Sequence, residues 1–160
     1  MSGDRHPELC TGRLTGILKK IPVFAGLSDP EYEPLLGVCR VCRFDPGTPI
    51  FSQGDAGYAL YVVLSGAVEV TADQVGRLGT VGPGEMFGEI AVVCRVRRTA
   101  TVTAADETCL LELGMDDLDR LRGRAPRTAY VILRNTARTL AERLIDANAQ
   151  RAVYPLDRSL

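Results

Sequence analysis

The stretch from Val38 to Leu113 constrains the fold most, because short alternating segments there are separated by glycine turns. β-branched and aromatic residues alternate with polar ones, a pattern typical of half-buried strands. Turn signals stand at Gly54–Gly57 and at Ser65–Gly66. Many short strands with frequent glycine turns favour a sandwich, jelly roll or barrel. The predicted strands are 39–44, 49–52, 58–65, 67–72, 74–81, 99–104 and 107–113.

Helical patterns flank this β region on both sides. Apolar residues at 14, 17, 18 and 21 predict a first helix, which Pro22 ends or bends. The sequence Ser28-Asp-Pro-Glu31 is typical of a capping box with proline in the first turn, and it predicts a second helix at about 29–38. After Gly114 a short third helix is predicted at 115–122. The fold class that follows is mainly β with flanking helices.

The longest helical pattern runs from Arg127 to about Gln150 without glycine or proline, after a break at 123–126. Apolar residues recur along it at spacings of three and four, as in the a and d positions of a coiled coil. Two interpretations of this seam stay open: it packs on the protein's own β region, or it pairs with the same helix of a second copy. The seam comprises Tyr130, Leu133, Ala137, Leu140, Leu144 and Ala147.

Residues 84–102 combine groups that suit a ligand with both hydroxyl and phosphate groups. Gly84 and Gly88 allow close approach of the backbone or a positive φ. Glu89 can only accept hydrogen bonds when ionised, which suits a sugar hydroxyl, whereas Arg98 can fork onto phosphate oxygens. The apolar run that begins at Ile90 is about one helical turn long, and the first amides of such a turn can bind an anion.

At these residues the sequence resembles the cyclic nucleotide-binding domain family. The phosphate-binding cassette of that family reads F-G-E-(L/I)-A, then a short variable segment, then R-(A/S/T)-A. The β-roll pattern F-x-x-G-x-x-I-F-x-x-G-D also matches, beginning at Phe44, and the resemblance covers roughly residues 17 to 148. The cassette is matched by Phe87, Gly88, Glu89, Ile90 and Ala91 in its first half and by Arg98, Thr99 and Ala100 in its second.

The resemblance implies that Glu89 receives the ribose 2′-hydroxyl and Arg98 the cyclic phosphate. Backbone amides near Ala91 and Thr99 would complete the phosphate site. The implied fold is an antiparallel β-roll or jelly roll with N-terminal helices, a short phosphate-binding helix and a long C-terminal helix that covers the base. A base contact is implied late in that helix, near Ala147 and Asn148.

The base itself stays open between cAMP and cGMP. Members of the family that select cGMP carry a threonine or serine directly after the phosphate-binding arginine, where Thr99 stands, but some cAMP binders carry a hydroxyl there too. Thr99 therefore permits cGMP without requiring it, and the preference for cAMP is slight.

The expected function is that of a free-standing cyclic nucleotide sensor, not an enzyme, that signals to a protein partner by movement of its C-terminal helix. The resembled transcription factors dimerise through this helix, so a homodimer through the seam is expected. Their winged helix-turn-helix would not fit into the ten residues 151–160. The alternative is an interaction module with a degenerate, unliganded pocket.

The expected divisions are a mobile N-terminus at 1–13, the β-roll with its helices at 14–126, the lid or dimerisation helix at 127–150, and a tail at 151–160.

Charge and composition weigh against several other classes. The net charge is −1, but residues 1–117 carry a balance of −6 and residues 118–160 one of +5. The basic end could pair with the acidic body, a partner or nucleic acid, although DNA binding is disfavoured because no helix-turn-helix follows.

A single histidine, His6, argues against a metal enzyme of the cupin type, so neither a metal nor a catalytic cofactor is expected. The five cysteines are expected to be reduced core residues, and a cytoplasmic location follows from the lack of a signal peptide or membrane span.

Overall fold

The structure is a computed structural model that describes residues 11–153. Two 3₁₀ turns, at Pro22–Phe24 and Asp29–Glu31, lie between the first two helices. The helices are α1 (Thr11–Leu18), α2 (Tyr32–Leu36), α3 (Glu89–Cys94), α4 (Met115–Arg124) and α5 (Pro126–Val153). The strands are β1 (Arg40–Phe44), β2 (Pro49–Phe51), β3 (Ala59–Ser65), β4 (Val68–Ala72), β5 (Gly76–Val81), β6 (Met86–Phe87), β7 (Thr101–Ala104) and β8 (Thr108–Gly114).

The strands form two antiparallel sheets of four, in the orders β1-β8-β3-β6 and β2-β7-β4-β5. The space between the sheets is filled by an apolar cluster that includes Val63, Val68, Phe87, Val102 and Leu110. Inward and outward residues alternate along β3, as a strand with two covered faces requires. The predicted fold class, a jelly roll with flanking helices, is confirmed.

The helices cover the outer face of the first sheet. Leu60 and Val62 of β3 are buried there in a second apolar cluster, with Leu111 and Leu113 of β8. Side chains from all five helices meet these strands in one continuous core, to which α3 contributes Val92 and α5 contributes Ala129 and Ile132. Burying these side chains away from water is what holds the helices to the β-roll.

Most element boundaries differ from the sequence predictions by one to three residues. Helix α1 begins at Thr11, inside the predicted mobile terminus, while residues 1–10 of that segment lie outside the described residues. The predicted helix at 29–38 is a 3₁₀ turn followed by the five-residue α2. The long helix extends to Val153, into the predicted tail, and residues 154–160 lie outside the described residues.

Two strand predictions need correction. Strand β6 was missed, because two residues are too few to show an alternating pattern. The strand predicted at 99–104 begins only at Thr101, since Thr99 and Ala100 form a bend directly after Arg98. That bend separates Arg98 from the sheet.

The cysteines of the described part are unpaired, as expected for reduced thiols. Burial raises the pKa of Cys42 to about 11, with a smaller contribution from the neighbouring Glu112 carboxylate. Thiols with a raised pKa are poor nucleophiles. Cys94 is exposed at the end of α3 and departs from the predicted core position.

Helix α5 buries side chains against the body along its first half. Asn135 is buried and donates from Nδ2 to the carbonyl oxygens of Val23 at 3.0 Å and Ala25 at 2.9 Å. Arg127 pairs with Glu31 near the start of the helix. Every residue from 141 to 151 is exposed.

The predicted seam lies on the opposite face of α5 from these contacts. Tyr130 is 61% exposed, Leu133 43% and Leu144 62%, and Leu140 is half-buried. The face that packs on the body is formed instead by residues such as Ala129, Ile132 and Thr136. The interpretation that the seam packs on the protein's own β region is therefore wrong.

Glu31 gives the fold an acid-sensitive contact. Arg127, followed by the amide and hydroxyl of Ser28, holds the pKa of Glu31 down to about 2 from 4.5. A carboxyl with a depressed pKa stabilises the fold above its unfolded pKa, and the contribution disappears as the pH falls through the folded pKa. We expect Glu31→Gln to lower Tm slightly at neutral pH and to lose less stability than wild type between about pH 4.5 and 2.

Thermal unfolding followed by circular dichroism across that pH range tests this prediction. The matched control is Asp29→Asn, which removes a neighbouring carboxylate whose partner, Lys19, is a surface residue. Parallel Tm curves for wild type and Glu31→Gln would contradict the assigned role of the Glu31 carboxylate.

Candidate functional site

The site is built around the turn from β6 into α3. Gly88 adopts φ +77°, which redirects the chain from the strand into the helix. A Cβ at Gly88 would lie 2.8 Å from Nη1 of Arg98 and 2.9 Å from the carbonyl oxygen of Ala59. Only glycine fits this position, because a side chain would occupy the space that the guanidinium takes.

The backbone of Arg98 is held by the loop that follows β2. The Arg98 amide donates to the carbonyl oxygen of Asp55 at 2.9 Å, and the Gly54 amide donates to the carbonyl oxygen of Arg98 at 2.8 Å. These two bonds bring Arg98 next to Gly88, ten residues earlier in the chain. The β2–β3 loop thus brings the two half-motifs, which are separated along the chain, into contact.

The guanidinium of Arg98 is desolvated and only partly hydrogen-bonded. The residue is 5% exposed, and Nη1 donates to the carbonyl oxygens of Ala59 at 2.9 Å and Gly88 at 3.1 Å. Its Cζ lies 4.0 Å from the centre of the Phe51 ring. Nε is buried without a partner, and burial lowers the pKa of Arg98. Leaving such a group unpaired is costly, so this end of the site suits an added anionic acceptor.

Glu89 is buried at the start of α3 and is paired with a residue that the sequence analysis missed. It is 3% exposed, and its Oε1 accepts from Nη1 of Arg143 at 2.7 Å. Nη2 of Arg143 donates to the Met86 carbonyl oxygen, also at 2.7 Å. The distance of 54 residues along the chain hid this pair; its one signal in the sequence was an arginine off the apolar seam.

The remaining predicted site residues differ in their exposure to solvent. Phe87 and Ala91 are buried beside Gly88 and Glu89, whereas Ile90 is 41% exposed. Thr99 is exposed and Ala100 is half-buried after Arg98. The structure therefore brings together the two halves of the predicted cassette, but it leaves the Thr99 side chain at the surface.

Asn148 is not brought to this cluster. It is exposed and lies five residues after Arg143, about 140° further round the helix. Because Arg143 points back to Glu89, Asn148 points towards the side of the seam. Its predicted base contact stays a prediction.

Arg98 also lines a cleft of about 1430 Å³. Gly57, Tyr61 and Glu112 contribute to its walls, but Glu89 and Thr99 do not. Burial raises the pKa of Tyr61 to about 12, with a smaller contribution from Glu112. Arg98 thus contributes both to this cleft and to the contact with Gly88.

The sequence model of the cyclic nucleotide-binding domain family matches residues 41–125, more than half of the chain and all of the segment between β1 and α4. The chain belongs to this family. Within this cyclic nucleotide-binding domain, the buried arginine and glutamate described above fall inside the matched segment.

Similar proteins place the domain among regulators and as a part of longer chains. The Cyclic AMP receptor protein of Thermus thermophilus is 36% identical over 83% of this chain and 62% of its own. Glutaminase 1 of Bradyrhizobium diazoefficiens is 38% identical over 83% of this chain but only 22% of its own, so its name describes a much longer protein. The crystal structure of a cyclic nucleotide-binding domain from Methylobacillus flagellatus superposes with a TM-score of 0.79 at 23% identity, covering 94% of this chain and 86% of that one.

Two further findings concern the described residues. No helix between residues 11 and 153 is long and apolar enough to cross a membrane. Across the same part of the chain, no group of three or more histidine, cysteine, aspartate or glutamate side chains is arranged to hold a metal ion.

Proposed function

We propose that this cyclic nucleotide-binding domain binds cAMP or cGMP and passes the signal to a partner through α5. The observation that carries the proposal is the buried guanidinium of Arg98, whose Nε has no acceptor. A cyclic phosphate supplies anionic oxygens that can accept from such a donor, and the charge offsets the cost of desolvating the arginine. Glu89 then stands where a ribose hydroxyl would find an acceptor.

The assignment of the two ends of the ligand follows from charge. An anionic phosphate is repelled by the Glu89 carboxylate and attracted by Arg98, so the orientation of the ligand is set by these two side chains. The Phe51 ring under the Arg98 guanidinium restricts its orientation and keeps water away from one of its faces. The printed names of the similar proteins, which include a cyclic AMP receptor protein, support the same ligand class.

Titration calorimetry with cAMP and cGMP tests the proposal on protein that has been unfolded and refolded to remove carried-over nucleotide. We expect saturable binding of at least one of them, and the ratio of the two affinities assigns the base. Noncyclic 5′-AMP is the control, because its phosphate carries an additional charge and lacks the ring. Correctly refolded protein that binds neither cAMP nor cGMP would contradict the proposal.

The second candidate is an interaction module whose pocket stays unliganded. It is favoured by one observation: Glu89 has a charged partner, Arg143, within the protein. On this view both buried charges are structural. Refolded protein that fails to bind nucleotide but captures a partner through the seam would support it. A cytoplasmic location is expected for either function and is part of the proposal.

We further propose that the seam of α5 pairs two copies of the chain. Tyr130, Leu133 and Leu144 are exposed along one face, and side chains of this kind at the surface of one helix commonly mark an interface. We expect Leu133→Arg combined with Leu144→Glu to shift the protein from dimer to monomer in sedimentation velocity. The control is Val75→Glu, which replaces an equally exposed apolar residue on the β4–β5 turn. A wild-type protein that is monomeric at all accessible concentrations would contradict the dimer.

A further inference from the structure

Arg95 holds a backbone conformation that an arginine adopts only at a cost. It follows the last residue of α3 with φ +52° and ψ +41°, in the left-handed region. There the Cβ of an L-residue crowds the following carbonyl oxygen, whereas glycine takes the same conformation freely. Among the described non-glycine residues, only Gln74 shares a positive φ. Such an outlier indicates that the side chain at this position has a function.

Arg95 lines the cleft together with Arg98. The arginines that line this cleft are Arg40, Arg95, Arg98 and Arg120. Nη2 of Arg40 pairs with Oε1 of Glu112 at 2.9 Å. Nη2 of Arg120 pairs with Oδ1 of Asp117 at 2.6 Å. Arg95 is exposed, and its side chain makes no hydrogen bond or ion pair with any described residue. Its guanidinium therefore remains available to an anion in the cleft.

The free edge of the Arg98 guanidinium is directed to the wall of the same cleft. Nη1 is used by the carbonyl oxygens of Ala59 and Gly88, whereas Nε is buried without an acceptor. A Cβ on Gly57 would lie 3.1 Å from Nε and 3.2 Å from Nη2, so the edge between these two nitrogens faces Gly57, which lines the cleft. Arg95 precedes Arg98 by three residues, which span at most about 11 Å. One anion can therefore interact with both arginines.

We propose that Arg95 is a second cationic group for the ligand phosphate and attracts it from the cleft towards Arg98. The inference rests on the proposed function, since it adds a residue to the site that holds the cyclic phosphate. Arg98 is 5% exposed, so salt screens its interaction with the phosphate only weakly. Arg95 is exposed, so its attraction is weaker, acts over about 10 Å at about 0.1 M salt, and is screened at higher ionic strength.

A purely structural role for Arg95 makes different predictions. A cation at the C-terminus of a helix interacts favourably with the helix dipole. With that role alone, replacing Arg95 would lower stability and would leave the salt dependence of nucleotide binding unchanged. If Arg95 acts on the phosphate, its replacement by glycine relieves the backbone and weakens binding. Stability and affinity then change in opposite directions, which general damage to the fold does not produce.

The experiment measures Tm and the calorimetric affinities of Arg95→Gly for cAMP and cGMP at about 0.05 M and about 0.5 M salt. We expect Tm to rise by about 2–4 °C, because the left-handed strain is removed. Relative to wild type, affinity should fall about fivefold at the lower salt concentration and less than about twofold at the higher one. The factor should be the same for both nucleotides, because their phosphates are identical. Arg95→Lys keeps the charge and should retain most of the affinity.

Two controls match this variant. Gln74→Gly replaces the other described non-glycine residue with a positive φ, on the β4–β5 turn. It should raise Tm similarly and leave affinity unchanged. Arg97→Ala removes an exposed arginine whose Nη1 donates to the Gly54 carbonyl oxygen and which does not line the cleft. It should change affinity little at either salt concentration.

The outcomes distinguish this inference from the function on which it rests. If wild type binds a nucleotide and Arg95→Gly binds it equally well at low salt, Arg95 does not act on the phosphate and the inference alone is overturned. A loss of affinity that is as large at high salt as at low salt, or that comes with a lower Tm, shows a structural role and also overturns it. An equal loss in Arg97→Ala would do the same. If wild type binds neither nucleotide at either salt concentration, the proposed function fails and the inference fails with it.

Discussion

Arg98→Ala is expected to weaken cyclic nucleotide binding by about a hundredfold or more, since two charge-assisted hydrogen bonds of about 1.5–3 kcal/mol each would be lost. The guanidinium is 5% exposed and has a buried Nε without an acceptor, so the phosphate would meet it in a desolvated position where the interaction is strong. Titration calorimetry of wild type and variant measures the loss directly.

Two further variants separate the bidentate hydrogen bonding of the Arg98 guanidinium from its positive charge. Arg98→Lys keeps the positive charge but cannot bind bidentately, so we expect an intermediate affinity. Arg97→Ala removes the neighbouring exposed arginine, which donates to the Gly54 carbonyl oxygen, and should change affinity little. If Arg98→Ala binds nucleotide with wild-type affinity while its Tm is unchanged, the phosphate is not held at Arg98.

Gly88→Ala is expected to reduce nucleotide affinity by about tenfold or more and to lower stability as well. The new Cβ would lie 2.8 Å from Nη1 of Arg98 and 2.9 Å from the Ala59 carbonyl oxygen, so the guanidinium must leave its position. A φ of +77° adds a backbone cost of about 1–2 kcal/mol for any residue with a Cβ. Calorimetry and thermal unfolding report the two effects separately.

Gly84→Ala is the matched control for this substitution. Gly84 has a similar φ of +83°, but a Cβ there would meet nothing within 4 Å. It should therefore show the backbone cost without the displacement of Arg98. Equal losses of affinity in Gly84→Ala and Gly88→Ala would mean that backbone strain, and not the position of the guanidinium, limits binding.

Helix α5 uses different faces for different contacts. One face packs on the body through Asn135 and its neighbours, the seam is open for a second copy, and Arg143 points back to Glu89. We propose that a partner bound to the seam detects ligand binding through a change in the direction of the helix.

The elements that depend on residues close together along the chain could be predicted from the sequence. Alternation and glycine turns predicted seven of the eight described strands, because inward and outward side chains of a strand differ in burial. Glu89, Arg98 and the glycine between strand and helix were predicted from two short motifs whose internal spacing is local. The capping box at Ser28 and Glu31 was likewise confirmed, since its hydrogen bonds join residues three positions apart.

The tertiary structure alone decided the contacts that join distant segments. Neither the pairing of Glu89 with Arg143 nor the exposure of the seam follows from the helical pattern, which shows that a face is apolar but not what covers it. Both depend on how α5 docks, which Asn135 and Ile132 determine by contacts with residues from earlier parts of the chain. A periodic pattern specifies the faces of a helix relative to one another, whereas packing against the body determines which way each face points.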